Sequence, residues 1–294
     1  MASLKEIKSR IQSVKSTQKI TSAMKMVSSA KLRKAQKQIE SFYPYEQKLT
    51  QILSNFLSAE EESSSVYAEQ REVKRVALVA FSSNSSLCGS FNSNVAKKLA
   101  SAVEKYNHLG KENIMIFPIG KKVSQAVKKM GFAVEEIFDE MINKPSYQPA
   151  QELAGRLMEM FDNKEIDRVE LIYYHFKNKS SQVLTESAFL PIELKNFQTL
   201  QTDNKVQIHQ NYLVEPDRLS VMSVLIPKVI RLKLYTALLD SSASEHAART
   251  IAMQIATDNA DDLLQELNLQ YNKSRQQAIT NELLDIIGGS FGQS

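Results

Sequence analysis

Several features that would reveal a chemical function are missing from this sequence. Cys88 is the single cysteine, which excludes an internal disulfide and any metal site built from several cysteines. The four histidines lie far apart without metal-ligand spacing, so each is expected to have a surface or packing role. No segment approaches the roughly 18 consecutive apolar residues of a membrane span, and the N-terminus lacks the apolar core of a signal peptide. We therefore expect no metal, no cofactor and no membrane-spanning segment.

Glycine-rich phosphate loops are also missing. The sequence contains neither GxGxxG nor GxxxxGK[ST], and Gly89 stands alone in the turn Ser82–Ser90. A serine-rich turn before a helix can bind an anion through backbone N–H groups, but turn and capping chemistry explain these serines more simply. No catalytic residue is predicted either, because His175 has no evident serine or cysteine partner and Glu282 with Asp285 fits solvated helix charge.

The two ends of the chain have the pattern of helices far longer than those of an ordinary globular domain. They extend over residues 3–57 and 217–287, and Pro227 suits a first helical turn because proline has no N–H to lose. The C-terminal stretch repeats at alternating steps of four and three, which predicts the seam of a left-handed coiled coil. The seam positions are Leu225, Val229, Leu232, Thr236, Leu239, Ala243, His246, Thr250, Met253, Thr257, Ala260, Leu264, Leu267, Tyr271, Ser274 and Ala278.

The middle of this seam is unusual because its residues are small. Thr236, Ala243, Thr250, Thr257 and Ala260 stand where a stable dimeric coiled coil would have leucine or isoleucine. Small residues let two helices approach closely but bury little apolar area. We therefore expect this stretch to need support from outside the coil.

The N-terminal helix is amphipathic and strongly basic. Its apolar stripe shifts in phase around residues 17–19, so that apolar residues face two sides. Its first part has one acid, Glu6, before Glu40, in a chain of net charge only +4. The basic residues of the same stretch are Lys5, Lys8, Arg10, Lys15, Lys19, Lys25, Lys31, Arg33, Lys34 and Lys37.

The middle of the chain changes to the pattern of an α/β domain. Short apolar runs rich in β-formers alternate with helical stretches, which predicts a Rossmann-like domain with a mostly parallel sheet. The predicted strands are Val76 to Phe81, Ile114 to Ile119, Val169 to Phe176 and Val183 to Ile192, the last with Pro191 near its end; the predicted helices are Asn94 to His108, Lys121 to Met130 and Ala150 to Phe161. The predicted segments are therefore a helix over 1–58, a linker over 59–72, an α/β domain over 73–211 with its exit at 197–211, and a helix over 212–294.

Both termini resemble one known family. The run I-K-S-R-I-x-S-V-x-S-T-Q-K-I-T-x-A-M-K-M-V-S-S-A-K-L-R-K-A at Ile7 to Ala35 looks like the start of the gamma subunits of rotary ATP synthases. The run A-S-E-H-A-A-R-T-I-A-M-Q-x-A-T-D-N-A at Ala243 to Ala260, followed by L-N-L-x-Y-N-K-S-R-Q-x-x-I-T-N-E-L, is similar to their other end. The middle matches more loosely, with Asn84-Ser85-Ser86 in place of the usual D-R-G, and Ser290 stands where alanine is usual.

The resemblance implies a mechanical function. In this family the terminal helices form an antiparallel coiled coil inside a ring of alternating alpha and beta subunits, and the α/β domain is a foot near the membrane. The implied partners are the alpha and beta subunits, the epsilon subunit and the c-ring, with no nucleic acid. The implied place is the cytoplasmic side of the cell inner membrane, bound peripherally through the complex. The chain is then a non-catalytic rotating stalk that couples ion flow to ATP synthesis or hydrolysis.

The resemblance also implies which residues contact the ring. Those near an acidic beta-subunit loop are Lys19, Met24, Lys25, Lys31 and Arg33. Those at the level of the catch loops of the ring are Arg275, Gln276, Thr280 and Glu282. The C-terminal Leu283, Leu284, Ile286, Ile287 and Phe291 would form an apolar tip.

One alternative comes from a different class of protein. The basic face with Lys15, Lys19, Lys31 and Arg33 also fits a coiled-coil adaptor that binds nucleic acid or an anionic membrane. Aromatic residues are absent between the basic positions from Lys5 to Lys37, which argues against stacking on single strands. Steep salt dependence of a sequence-independent DNA affinity would support this alternative.

Overall fold

Two long helices lie at the two ends of the chain. The structure is a computed structural model and describes residues 3–58, 66–134, 138–192 and 214–291. Helix α1 is Leu4–Ser58 and the C-terminal helix, α6, is Arg218–Phe291, which confirms the predicted long terminal helices. Residues 59–65 of the predicted linker lie outside the described residues, and so does the predicted exit of the α/β domain at 197–211.

The prediction that Pro227 lies in a first helical turn was wrong. Helix α6 begins at Arg218, so the proline is inside the helix and cannot donate a backbone hydrogen bond to the carbonyl of Ser223. Its neighbours Ile226 and Val229 are buried in the apolar core. Tertiary packing therefore outweighs the loss of one helical hydrogen bond.

The middle of the chain forms a four-stranded sheet in the order β2-β1-β3-β4. The strands are β1 Val76–Phe81, β2 Ile114–Ile119, β3 Arg168–Phe176 and β4 Gln182–Leu190. Strand β1 pairs in parallel with β2 and β3, and β4 pairs antiparallel with β3. The shorter helices are α2 Phe91–Lys105, α3 Lys121–Lys129, α4 Asp139–Asn143 and α5 Tyr147–Asp162. This confirms the predicted α/β class with a mostly parallel sheet.

Two apolar cores cover the two faces of the sheet. On one face, α2 and α3 pack through residues such as Val95, Leu99 and Val127. On the other face, α5 packs together with the end of α1 and the beginning of α6, for example through Leu53 and Ile230. Every residue of β1 is buried, as expected for a central strand covered on both faces. The ends of the long helices are thus part of the core of the sheet.

The chain divides into two compact units. The coil unit lies within Met1–Ser29 and Arg249–Ser294, and the sheet unit lies within Ala30–Ala248. This division by packing cuts across the four segments predicted from the sequence, which divide the chain by type of structure. Those segment boundaries stay a prediction.

The serine-rich turn after β1 caps helix α3. The first three backbone N–H groups of α3 donate to Asn84 Oδ1 at 2.9 Å, to the Ser83 carbonyl at 3.1 Å and to Ser82 Oγ at 2.9 Å. Turn and capping chemistry therefore accounts for this part of the turn, although the capped helix is α3 and the side chain of Ser90 does not cap α2.

Gly120 is required where this turn meets α3. Its φ of +104° is in the region that favours glycine, and an added Cβ would lie 2.3 Å from the Ser82 carbonyl oxygen. That oxygen belongs to the backbone and is fixed by β1. A side chain at this position therefore has no room.

We predict that Gly120→Ala lowers the free energy of unfolding by about 2–4 kcal/mol, because it combines backbone strain with a clash. The measurement is urea denaturation followed by circular dichroism. Gly155→Ala is the matched control, since its added Cβ meets nothing within 4 Å, and it should stabilise helix α5 by about 0.5–1 kcal/mol. Equal effects of the two substitutions would contradict this account.

Candidate functional site

Polar side chains join α1 and α6 in the coil unit. Gln18 Nε2 donates to Asp261 Oδ1 at 2.5 Å, Thr21 and Thr257 share a hydrogen bond of 2.9 Å between their hydroxyls, and Lys25 Nζ donates to Gln254 Oε1 at 2.9 Å. The partner on α6 moves backwards as the residue number on α1 increases. The two helices are therefore antiparallel here.

The seam itself is buried but buries little apolar surface. All the predicted seam positions of α6 are buried or half-buried. In the coil unit, however, the buried seam residues include Thr250, Thr257 and Ala260, with Met253 and Leu267 as the large apolar ones. The expected shortage of apolar burial in the coil is therefore present.

The first group of predicted ring contacts in the coil unit lies along α1. Lys19 is exposed, and Met24 and Lys25 are half-buried. Lys25 is partly engaged within the coil through its hydrogen bond to Gln254. Lys19 is thus the freest of the three to meet another chain.

The second group lies on α6 and is separate from the first. Arg275, Gln276, Thr280 and Glu282 are all exposed, and the Thr280 hydroxyl donates to the carbonyl of Gln276 at 3.0 Å. They follow Gln254, the partner of Lys25, by 21 residues or more, which is roughly 30 Å along a helix. The structure therefore presents two surfaces rather than one site. Lys31 and Arg33 belong to the sheet unit, where both are exposed on α1.

Large apolar side chains project from the coil unit into solvent. They occur on both helices, and several are at least half exposed, with Met26 at 64% and Leu269 at 72%. Among the side chains that the structure describes in this unit, they are Ile20, Met26, Val27, Ile255, Leu269, Ile279, Leu283, Leu284, Ile286 and Ile287. Such a concentration marks a surface that contacts another protein.

A buried carboxylate connects the sheet to both long helices in the sheet unit. Asp240 of α6 is 1% exposed. Its Oδ2 lies 2.6 Å from His175 Nδ1 of β3, and its Oδ1 accepts a hydrogen bond of 3.2 Å from the Tyr43 hydroxyl of α1. We call Tyr43, His175 and Asp240 the joint. Hydrogen bonds to the side chain of Asp240 thus link these three elements.

Burial perturbs the ionisable groups of the joint. Burial raises the pKa of the Asp240 carboxyl above its ordinary value of 3.8, although the hydrogen bond and charge of His175 oppose this rise. Burial, followed by the charge of Asp240, also raises the pKa of the Tyr43 hydroxyl. Glu46, one turn further along α1, has its pKa raised by burial as well.

No pattern in the sequence indicated the joint. His175 lacked an evident serine or cysteine partner, and its actual partner is 65 residues away on another element. In the described residues, no group of three or more histidine, cysteine, aspartate and glutamate side chains is placed to hold a metal ion. None of the helices in these ranges has the length and apolar character needed to cross a membrane.

The folded chain is an α/β protein with a sheet unit and an antiparallel helical coil unit. The family model of ATP synthase matches residues 3–291. The ATP synthase gamma chain of Bacteroides thetaiotaomicron is 59% identical over 296 residues, and that of Phocaeicola vulgatus is 58% identical over 290 residues; each alignment covers 99% of both chains. The chain therefore belongs to the ATP synthase gamma-chain family. The alternative of a basic coiled-coil adaptor is not favoured.

A solved structure has the same fold. A chain in the cryo-EM structure of the Euglena gracilis mitochondrial ATP synthase, OSCP/F1/c-ring in rotational state 3, matches with a TM-score of 0.66. The match covers 99% of this chain and 94% of the other, at 20% sequence identity. The arrangement of long terminal helices around a central sheet is thus retained in a distant relative.

Because of the buried carboxyl of Asp240 in the joint, we predict that the difference in stability between wild type and an Asp240 variant depends on pH. Because the pKa of Asp240 is higher in the folded than in the unfolded chain, its carboxyl stabilises the fold most below about pH 3.8, and this contribution is lost as the pH rises through the folded pKa. Asp240→Asn removes the titration, so its free energy of unfolding relative to wild type should increase as the pH rises above about 3.8. Urea denaturation at several pH values measures this.

Asp240→Ala is the control for the hydrogen bonds of the joint. It leaves Tyr43 and His175 without their shared acceptor and should cost about 1–3 kcal/mol at neutral pH. If the difference between the asparagine variant and wild type does not change with pH, the assignment of a raised pKa to Asp240 is wrong.

Proposed function

We propose that this chain is the rotating central stalk of an F-type ATP synthase and has no catalytic residues of its own. Its partners are the alpha and beta subunits of the catalytic ring, the epsilon subunit and the c-ring. It associates peripherally, through the complex, with the cytoplasmic side of the cell inner membrane. Rotation of the c-ring turns the sheet unit, and the coil unit drives conformational change in the ring.

The observation that carries this proposal is the apolar surface of the coil unit. A coiled coil exposed to water would bury its large apolar side chains in the seam. Here most of the buried seam residues of the coil unit are small or polar, whereas the large apolar side chains of Ile20, Val27 and Ile255 are exposed. A ring of subunits around the coil would cover these side chains. It would also supply the support that the sparse seam lacks.

Rotation acts on the ring only through contacts that differ between its conformational states. The two surfaces of the coil unit provide such contacts at two levels. Lys19, Met24 and Lys25 form a level where positive charge meets an acidic loop, and Lys31 with Arg33 extends the positive charge along α1. Arg275, Gln276, Thr280 and Glu282 form a mixed polar level, which suits directed hydrogen bonds and ion pairs with the ring.

The joint gives the proposed rotor a mechanical connection in the sheet unit. Torque applied to the sheet has to pass into α1 and α6, and the hydrogen bonds of Asp240 link both helices to β3. A hydrogen bond between Lys233 Nζ and the Ala188 carbonyl at 2.5 Å adds a second link between α6 and the sheet. Directed bonds resist sliding between packed elements better than apolar contacts, which are non-directional.

Assembly with cognate alpha and beta subunits tests the proposed function. Size-exclusion chromatography should show one copy of the chain with three alpha-beta pairs, and that complex should hydrolyse ATP. The chain alone should hydrolyse none, since it is proposed to be non-catalytic. Failure to enter a complex with folded cognate subunits would count decisively against the proposal.

We predict that Arg275→Ala with Gln276→Ala slows ATP hydrolysis by the assembled complex about fivefold, which corresponds to about 1 kcal/mol of lost stabilisation. Both side chains are exposed, so the unfolding transition of the isolated chain should not change. Steady-state ATPase activity of the purified complex measures the effect.

The matched control is Gln125→Ala with Lys128→Ala, which truncates one amide and one cation that are exposed on α3 of the sheet unit. This variant should hydrolyse ATP at the wild-type rate. Equal rates for all three complexes would refute the role of Arg275 and Gln276 in contacting the ring.

A further inference from the structure

Helix α3 presents an unusually uniform positive surface. Its sequence is K-K-V-S-Q-A-V-K-K, in which Val123, Ser124 and Val127 are buried. Lys121, Gln125, Lys128 and Lys129 are exposed and Lys122 is half-buried, and the helix contains no acidic residue. We call Lys121, Lys122, Lys128 and Lys129 the lysine face.

The described part of the chain provides the lysine face with no ion-pair partner. None of its four ammonium groups takes part in an ion pair among the residues that the structure describes. The neighbouring helix α2 differs, since Lys98 pairs with Glu186 at 2.6 Å and Lys105 pairs with Glu170 at 3.1 Å. Two of the three lysines on α2 therefore have structural partners, whereas none of the four on α3 has an ion pair in the described part of the chain.

Helix stability explains only two of the four positive charges of the lysine face. Lys128 and Lys129 are in the last turn, where cations interact favourably with the helix dipole. Lys121 and Lys122 are in the first turn, where the dipole opposes a positive charge. Their backbone N–H groups already donate to the turn after β1, so this helix end has no free donors for an anion. A partner beyond the chain would account for the charge.

The positive region continues past the C-terminal end of α3. Lys111 Nζ lies 5.6 Å from the ring centroid of Phe132, just after the helix. The acidic neighbours among the described residues are Glu112, next to Lys111, Glu104 near the end of α2, and Asp139 with Glu140 at the start of α4, which Asn84 joins to the first turn of α3. None of these carboxylates forms an ion pair with a lysine of the face in the described part of the chain.

The chemistry of the face favours an extended anionic surface over a shaped protein site. A lysine ammonium is a hydrated point charge without the fixed fork with which arginine recognises a single carboxylate. The outward positions hold no apolar residue, so the helix has nothing to insert between acyl chains. Clusters of four or more basic residues on an amphipathic helix adsorb to anionic lipid through charge.

We propose that the lysine face of α3 binds the anionic phospholipid headgroups of the membrane surface. This inference rests on the proposed function, which places the chain in a membrane-bound complex. The contact holds the sheet unit at the bilayer by charge alone, without insertion. It is therefore weakened by salt.

The test uses the complex of this chain with alpha and beta subunits, purified without membrane. Its binding to vesicles of equimolar phosphatidylcholine and phosphatidylglycerol is measured by co-sedimentation, with vesicles of phosphatidylcholine alone for comparison. The complex should bind only the anionic vesicles, and less at high salt. Changing the four lysines of the face to glutamine should weaken binding up to about a thousandfold, at about 1 kcal/mol for each lysine, and leave ATPase activity unchanged.

The matched control variant is K74Q with K144Q, K177Q and K179Q, which removes the same charge from exposed lysines scattered over the sheet unit. It should bind vesicles almost as wild type does. Equal losses in both variants, or no binding to anionic vesicles by the wild type, would overturn the inference. Failure to assemble is seen first by chromatography and counts against the proposed function alone, and the vesicle assay is then run on the full chain.

Discussion

Helix α6 can contact both α1 and the sheet because its middle is made of small and polar residues. From Ala237 to Glu245 every residue is buried. On one side, Leu239 and Ala243 pack against α1. On the other, Asp240 meets β3, and the Ser244 hydroxyl donates to the Tyr174 carbonyl at 3.3 Å. Burying a polar group is costly unless it is hydrogen-bonded; Asp240 and Ser244 have such bonds, whereas the buried Ser241 hydroxyl has no partner among the described residues. The bonds of Asp240 and Ser244 therefore orient this stretch of α6 against the sheet.

The coil unit also has small and polar residues where its two helices meet, but the result there is different. Small and polar seam residues again permit close approach, as the Thr21 and Thr257 hydroxyls show, but no sheet covers the outer faces. The consequence is a helical pair whose apolar residues are divided between a thin seam and the solvent. Such a pair gains more from an enclosing partner than a leucine-rich coil would, because its own interior contributes little apolar burial. The proposed place inside a ring of subunits follows from this shortage.

The sequence predicted what depends on local pattern. Strands β1 and β2 have the predicted bounds, and the seam positions of α6 are buried or half-buried because a repeat of three and four necessarily lies on one stripe. Helix ends were less accurate: α2 begins at Phe91 rather than Asn94, and the five-residue α4 had no pattern long enough to detect. The joint could not be predicted at all, because Tyr43, His175 and Asp240 come together only when three elements have packed.

The positions of the charged residues say more about this protein than its net charge does. A net charge of +4 suggests a nearly balanced protein. Within the sheet unit, however, Glu170 and Glu186 neutralise lysines of α2, and Asp240 belongs to the joint. The lysines left over lie mainly on α1 and on α3. Screening in physiological salt limits the reach of each charge to roughly 8–10 Å, so each surface acts only on a partner that comes close to it. In the proposed function the surface on α1 engages the catalytic ring, and in the proposed lipid contact the surface on α3 meets the membrane.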